Sequence, residues 1–373
     1  MSIMKQKKID RNSSIELLKI ISIVMIIIAH VVQSCEVCKI LNTSIATTNI
    51  KHIILVIFRY GGMIGNTIFF TCSAYFLLDN KKINFRKWFR IIFEVWIISV
   101  LILLECALIN KSIISAKEIL RNIMPVIFRN NWYISCYILF YPIHIFLNLI
   151  INKLNKKQHL QLILPMIGIY LGICFLKEDL FFNSYLIIWI VIYFLVAYIK
   201  LYLKKTASNL KVNLFVLFCS LLGHIGIILI TNKLGLNVKF FNNKLDYWRK
   251  INNPFIIFGV ISLINIVINL KWKNIVINRI SKLSLLIYIL HENLLLRTYF
   301  RPRLLKRVYN IWGDGYIITE IILFSFAIFL LCTLVCWIYD ITIRKYIWAI
   351  SDRILCFLKK LYKAIEGKMI QID

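Results

Sequence analysis

Residues 15–33 read IELLKIISIVMIIIAHVVQ, an apolar run interrupted by only a few polar side chains. A helix needs about 20 mostly apolar residues to cross the hydrocarbon core of a bilayer, where backbone N–H and C=O groups find no water to bond. The stretch therefore predicts a membrane-spanning helix. Basic residues precede it, as in a signal peptide, but no small-residue cleavage site follows, so we interpret it as an uncleaved signal anchor.

The rest of the chain repeats this apolar pattern. Sixty per cent of the 373 residues are hydrophobic, and the chain holds only 12 Gly and 5 Pro, which no soluble domain with a polar exterior sustains. We predict an all-α integral membrane bundle of ten helices, at 15–33, 62–78, 91–109, 132–151, 160–176, 182–199, 212–231, 254–270, 283–296 and 317–339. The ninth is short and polar at its end, so we expect it inside the bundle.

The formal net charge of +29 is spread among the loops. No soluble domain presents it to nucleic acid, so we exclude that partner. If the N-terminus is cytoplasmic, 28 of the 46 Lys and Arg residues fall on that side, and the positive-inside rule favours both termini in the cytoplasm. We predict one membrane domain over 1–373, with a core to about 345 and an amphipathic cytoplasmic tail over 346–373.

Two shorter features lie outside the predicted spans. Residues 113–129 mix charged and apolar side chains as a helix on the outer interface does, at least as far as Pro125. Cys35 and Cys38 form a CxxC pair, typical of a redox or metal site, but no second pair and no nearby histidine completes it. We therefore predict no metal.

Polar groups inside spans are costly and usually have a partner or a function. Lys19 and His30 are eleven residues apart, so they lie within about 20° on one helix face and roughly 16 Å apart along the axis. Glu16 precedes Lys19 by three residues, close enough to pair with it. The alternative is that Glu16 and Lys19 are interfacial residues and His30 is a packing histidine.

Four later segments favour a functional role for Lys19 and His30 over this structural interpretation. They are FFTCSAYFL at 69–77, the basic loop KKINFRKWFR at 81–90, NWYISCYILFY at 131–141 and SLLIYILHEN at 284–293. In this order, with the spaced Lys19 and His30, they resemble the membrane acyltransferase family 3, the polytopic O-acyltransferases. The resemblance covers most of the chain except about 155–250, and is closest to members that acetylate bacterial surface and capsular polysaccharides.

The chain departs from the family pattern at several positions. Lys19 stands where arginine is usual, which keeps the charge but loses the bidentate fork. Glu16 replaces the frequent aspartate and Ala74 the frequent glycine, and Phe93 stands where the family has a proline. Lys87 and Arg90 match the family's pair of basic residues spaced by three, again with one lysine for an arginine.

The resemblance implies an acyl-CoA donor, chiefly acetyl-CoA, that enters from the cytoplasm. Its phosphates need cationic contacts at the inner mouth, and we assign these to Lys19, Arg86, Lys87 and Arg90. The alternative for each of them is an ordinary charge of a cytoplasmic loop.

Catalysis is assigned to His30, as general base on an acceptor hydroxyl or as transient acyl carrier, with Glu16 orienting Lys19 on the same face. Tyr288 and His291 are expected to position or stabilise the reacting groups. Tyr75 and Trp132 are candidate substrate contacts, although Trp132 also suits an interfacial belt. Arg297 is expected to meet an anionic glycan or, alternatively, a lipid headgroup.

The sequence thus predicts a multi-pass enzyme of the bacterial cytoplasmic membrane, surrounded by lipid, that transfers an acetyl group to a hydroxyl of an extracytoplasmic or lipid-linked polysaccharide. A glycan or lipid transporter is one alternative, because transporters also use intramembrane charges. A non-catalytic member of the same fold is another.

Overall fold

A computed structural model describes residues 12–34, 44–177, 184–312 and 314–369, and within these ranges the chain is helical without strands. The helices are α1 (Ser13–Ser34), α2 (Ile50–Leu77), α3 (Phe85–Ile109), α4 (Ala116–Ile123), α5 (Trp132–Lys153), α6 (Lys156–Leu176), α7 (Tyr185–Tyr202), α8 (Lys204–Ser208), α9 (Leu210–Asn237), α10 (Pro254–Asn269), α11 (Ile275–Lys282), α12 (Ser284–His291), α13 (Arg301–Trp312), α14 (Ile317–Thr342) and α15 (Arg344–Met369). We call the end at which α1 begins the inner end, and the end at which α1 finishes the outer end.

Eight of these helices are long and apolar enough to cross a membrane: α1, α2, α3, α5, α6, α7, α9 and α14. They correspond to eight predicted spans, and the molecule is a helical, multi-pass membrane protein. Helix α10 matches the predicted span 254–270 but is shorter than those eight. The count of ten crossings and the cytoplasmic position of both termini stay predictions.

The predicted span 283–296 is wrong as a single helix. Helix α12 covers only Ser284–His291, and a separate α11 precedes it across a break at Leu283. After α12 the side chain of Asn293 accepts a hydrogen bond from the backbone N–H of Leu295, which closes a local turn in place of a further helical turn. A π-helical stretch, Leu296–Phe300, then leads into α13. The expectation that this segment lies inside the bundle is confirmed, because Tyr288, His291 and Glu292 are buried.

Helices α11 and α12 run beside α1 from the inner toward the outer end. Near the inner end, Ser13 Oγ donates to Asn278 Oδ1 at 2.9 Å and Ser281 Oγ donates to Glu16 Oε2 at 2.5 Å. Farther out, His30 meets His291. These contacts place the end of α12 beside His30.

Helix α2 lies unusually close to α1 because it carries glycines at the contact. A Cβ on Gly65 would lie 2.5 Å from the Ser22 carbonyl oxygen, and one on Gly62 would lie 2.9 Å from the Ala29 Cβ. Small residues allow such close packing of helices where no hydrophobic effect drives association. The pairing holds α1 rigidly along the segment that leads to His30.

The two predicted peripheral helices are present with altered bounds. Helix α4 ends at Ile123, before Pro125, and Ser115 caps its N-terminus, so the interfacial helix is shorter than the predicted 113–129. The predicted tail helix forms as α15. Cys35 and Cys38 lie outside the described residues.

Candidate active site

His30 and Glu292 meet near the outer end of α1. The Nδ1 atom of His30 lies 2.9 Å from Glu292 Oε1, and the Glu292 side chain is only 2% exposed. The Nδ1–H bond points toward His291 Nε2, at 3.3 Å, so Glu292 Oε1 acts on the ring as a close charge and accepts no hydrogen bond within the described residues. The partly exposed His30 ring thus contacts both the buried Glu292 carboxylate and the buried His291 ring.

The hydrogen bonds of this cluster determine where the ring protons lie. His291 Nδ1 is 2.9 Å from the Ile287 carbonyl oxygen, which can only accept, so Nδ1 of His291 carries the proton. In the neutral ring, His291 Nε2 is then an acceptor and receives the bond from His30 Nδ1–H. Consequently the free lone pair of His30 is on Nε2, which the ring geometry directs away from Glu292. This is the arrangement that a general base requires.

Two arginines complete the cluster. Arg297 Nη1 lies 3.0 Å from Glu292 Oε2, and the buried Arg301 Nη1 lies 3.6 Å from Glu292 Oε1. Arg301 also donates to the His291 carbonyl oxygen and, at 3.4 Å, to Ser34 Oγ. Its planar fork therefore ties the end of α12 to the last turn of α1.

His30 opens onto a pocket of about 330 Å³ at the outer end. The lining consists of His30, Gln33, Ser34, Arg297, Thr298, Arg301 and Pro302. A base and two guanidinium groups therefore face the same space. Such a space suits an uncharged hydroxyl that must lose a proton and a carbonyl oxygen that becomes negative during attack.

Tyr288 lies about one turn before His291 on α12, toward the inner end. Its ring lies 5.5 Å from the ring of His291 and 5.4 Å from that of Tyr133, measured between centroids. Its hydroxyl is buried and has no hydrogen-bond partner among the described residues. A buried hydroxyl without a partner costs free energy, and a substrate oxygen would satisfy it.

Glu16 does not join this site, and its assignment to catalysis is corrected. At 1.5 Å per residue it lies roughly 21 Å from His30 along α1. Its carboxylate accepts from Ser281 Oγ and pairs with Lys19 Nζ at 3.4 Å, as the three-residue spacing predicted. Glu16 therefore positions Lys19 at the inner end and fastens α11 to α1.

The predicted donor cations also lie at the inner end, and, besides Lys19, two of them are paired with an acid. Arg86 and Arg90 both bind the carboxylate of Asp352 on α15, Arg90 through Nε at 3.0 Å. Hydrogen bonds first from Arg86 and then from Arg90 hold the pKa of the Asp352 carboxyl well below its usual range. Lys87 is exposed beside them. Asp352 thus occupies the position that an anionic ligand of this pair would take.

The two remaining aromatic candidates lie at opposite ends. Tyr75 is at the inner end, with Lys200 Nζ 4.1 Å from its ring centroid, and lines a pocket of about 410 Å³ with Asp79. Trp132 is at the outer end, where its ring lies 4.4 Å from that of Tyr185. The structure therefore does not bring Tyr75 to His30.

One group of described residues has the composition of a metal site. The ligand atoms of His30, His291 and Glu292 lie within 4.8 Å of one another. However, Arg297 and Arg301 already balance the carboxylate charge, and their own charges oppose a divalent cation. The three ligand atoms have the spacing of a metal site, but the two neighbouring arginines disfavour a divalent cation there.

Sequence reasoning missed three functional candidates: Glu292, Arg301 and Asp352. An intramembrane carboxylate beside His291 was a signal for Glu292, because such groups are rare and costly. Arg301 stood among several loop arginines, and nothing in the local sequence separates it from them. Asp352 gave no signal, because a single acid on an amphipathic helix is ordinary.

Comparison with known proteins adds one match. A family model described as an acyltransferase domain matches residues 12–341. No curated protein and no solved structure gives a significant match to the chain. The matched range contains His30, His291, Glu292, Arg297 and Arg301.

Proposed function

The chain belongs to acyltransferase family 3, whose model covers residues 12–341, and from this premise we propose that it transfers an acetyl group from acetyl-CoA to a hydroxyl of a carbohydrate. The acceptor we propose is an extracytoplasmic or lipid-linked polysaccharide of a bacterial cell. The observation that carries the proposal is the His30 to Glu292 contact at the mouth of a pocket lined by two arginines. That arrangement supplies a base and a site for developing negative charge.

In the proposed reaction, His30 Nε2 takes the proton of the acceptor hydroxyl while the hydroxyl oxygen attacks the thioester carbonyl. The new C–O bond forms, the carbonyl oxygen becomes an oxyanion, and Arg297 and Arg301 stabilise that charge. The C–S bond then breaks and the thiolate of CoA leaves, taking the proton from His30. Glu292 stabilises the imidazolium between the two proton transfers.

The positions of the cations support a donor that extends through the bundle. Lys19 lies at the inner end, roughly 16 Å from His30 along α1. Acyl-CoA is elongated, with its phosphates far from the thioester, so one molecule can contact Lys19, Lys87 and Arg90 and still present its carbonyl to His30. Tyr288 lies between these two regions and is proposed to contact the acyl group through its unpaired hydroxyl.

Inverted membrane vesicles, given radiolabelled acetyl-CoA and the cell's own glycans, test the proposal. The wild-type protein should label the glycan fraction, and His30→Ala should lower the rate by roughly 10²- to 10⁴-fold, the usual contribution of a general base. His144→Ala is the matched control, because His144 is a buried histidine far from this cluster that bonds the Tyr141 carbonyl. Equal labelling by wild type and His30→Ala would show that the mechanism is wrong. Glycan movement without labelling would indicate a transporter.

A further inference from the structure

A second outer cavity has a volume of about 720 Å³ and shares no lining residue with the His30 pocket. It is formed by the N-terminal half of α5, the start of α7, the segment before α5 and the segment before α10. Its volume is within the range of ligand pockets, roughly 300–1,000 Å³. The site described above does not use this cavity.

Two aromatic rings form part of its wall. Trp132 and Tyr185 both line the cavity, with ring centroids 4.4 Å apart and planes inclined by 33°. Aromatic faces pack against the C–H face of a sugar ring, while the polar edges of tryptophan and tyrosine remain available for hydroxyl groups. The wall therefore suits a pyranose better than it suits a flexible alkyl chain.

Among the described residues, the charged side chains that line the cavity are all basic. Its described lining contains Arg129, Arg249 and Lys250 and no Asp or Glu, while Glu178 and Asp179, which precede Tyr185 in the sequence, lie outside the described residues. Asp246 lies 3.4 Å from Arg249 and also pairs with Arg59, so its single charge is shared between two arginines. Arg129 is exposed and forms no ion pair within the described ranges. A positively charged concave surface attracts and orients an anionic ligand.

The turn before α5 joins this cavity to the active site. Arg129 has a left-handed backbone, with φ of 52°, and the Asn130 side chain that follows donates to the Arg121 carbonyl oxygen at 2.9 Å. With its amide nitrogen turned toward α12, Asn131 donates to the Glu292 carbonyl oxygen at 2.8 Å. The cavity residue Trp132 follows directly. One short segment therefore carries both a charge of the cavity and, at Asn131, a contact to Glu292, whose carboxylate lies beside His30.

We propose that this cavity is an acceptor subsite for an anionic carbohydrate, one that bears a carboxylate or phosphate on a sugar beside the one acylated. The inference rests on the proposed function, and deepens it by naming the class of acceptor. Trp132 and Tyr185 hold the sugar ring, and Arg129 and Arg249 bind its acidic group. The neighbouring sugar then presents its hydroxyl to His30.

Direct binding tests this subsite without any catalytic turnover. The probes are uronic-acid oligosaccharides of two to six sugars and neutral hexose oligosaccharides of the same lengths, titrated against the full-length protein in neutral detergent. We expect the anionic probes to bind at least tenfold more tightly, and this preference to weaken as salt is raised. Arg129→Gln and Trp132→Ala should each weaken anionic binding about tenfold. Arg307→Gln, an exposed arginine on α13, is the matched control and should not.

Several outcomes would overturn the proposal. Equal binding of anionic and neutral probes would do so, as would equal loss in Arg129→Gln and Arg307→Gln, which would indicate general surface charge. Displacement of the probe by anionic lipid vesicles but not by free glycans would assign the cavity to lipid. Tyr185→Ala serves as a second aromatic variant if Trp132→Ala fails to fold. Probe binding without acetyl transfer would refute the proposed function while leaving the subsite intact.

Discussion

Glu292 Oε1 lies 2.9 Å from His30 Nδ1, although one residue is in the first helix and the other follows the twelfth. The carboxylate lies on the Nδ1 side of the ring, while Nδ1–H donates to His291, so the free lone pair is on Nε2. The carboxylate also places a negative charge where an imidazolium would form.

Glu292→Gln is expected to lower kcat for acetyl transfer by roughly 10²-fold or more, with the KM for acetyl-CoA nearly unchanged. The amide keeps the shape of the carboxylate but loses the charge that stabilises protonated His30. Steady-state kinetics in vesicles measure the change. Glu94→Gln is the matched control, because Glu94 is also a buried carboxylate paired with an arginine, Arg344, at 2.6 Å. An equal loss of kcat in both variants would reduce Glu292 to a structural role.

Tyr288→Phe is expected to leave the free energy of unfolding unchanged or to raise it by about 1 kcal/mol. The reason is that the hydroxyl that is removed has no hydrogen-bond partner among the described residues. The same substitution should lower kcat about tenfold if the hydroxyl meets the acyl group. Tyr339→Phe removes another buried, unpartnered hydroxyl, on α14, and should affect neither kcat nor KM. A stable Tyr288→Phe variant with wild-type kinetics would remove Tyr288 from the site.

Arg90→Ala and Lys19→Ala are each expected to raise the KM for acetyl-CoA about tenfold, because each removes one cationic contact to a phosphate. Asp352→Asn should lower this KM, since the carboxylate that competes for Arg86 and Arg90 is lost. Arg353→Ala, on the exposed side of α15, is the control for removal of a basic residue. If Asp352→Asn leaves the KM unchanged, the arginine pair does not contact the donor.

The docking of α15 is expected to be independent of pH between about 5 and 8. The folded-state pKa of Asp352 is lowered by Arg86 and Arg90, below the ordinary value of about 3.9. The stabilisation is therefore complete above that ordinary value and is lost as pH falls through the lowered one. Hydrogen exchange of residues 344–361, corrected for intrinsic rates, measures the docking. A steady loss of protection from pH 8 to pH 5 would contradict this assignment, and Asp352→Asn should exchange faster throughout.

Removal of divalent metal is expected to leave acetyl transfer unchanged. His30, His291 and Glu292 have the spacing of metal ligands, but Arg297 and Arg301 oppose a cation at that carboxylate. Activity after treatment with EDTA or phenanthroline, followed by metal analysis of the purified protein, checks this. Loss of activity that Zn²⁺ restores would show that the cluster is a metal centre.

The local parts of the structure could be predicted from the sequence. The apolar runs predicted the eight long apolar helices, because membrane burial depends on the composition of one continuous segment, but the second helix begins at Ile50, twelve residues before its predicted start. The pairing of Glu16 with Lys19 and the common face of Lys19 and His30 followed from 3.6 residues per turn. The error at 283–296 arose because hydropathy does not detect a turn closed by one asparagine side chain.

The sequence by itself determined that this is a helical membrane protein, with a histidine in its first span and basic residues that precede or follow the spans. It also contained every residue of the site, but it did not show which of these residues come into contact. Only the tertiary structure decided that Glu292 and Arg301, rather than Glu16, surround His30, and that Asp352 pairs with the donor arginines. The physical reason is that helical periodicity relates residues within a few turns, whereas contacts between distant helices depend on how close the backbones pack. In this chain that packing is set by Gly62 and Gly65 against α1 and by α11 and α12 beside it.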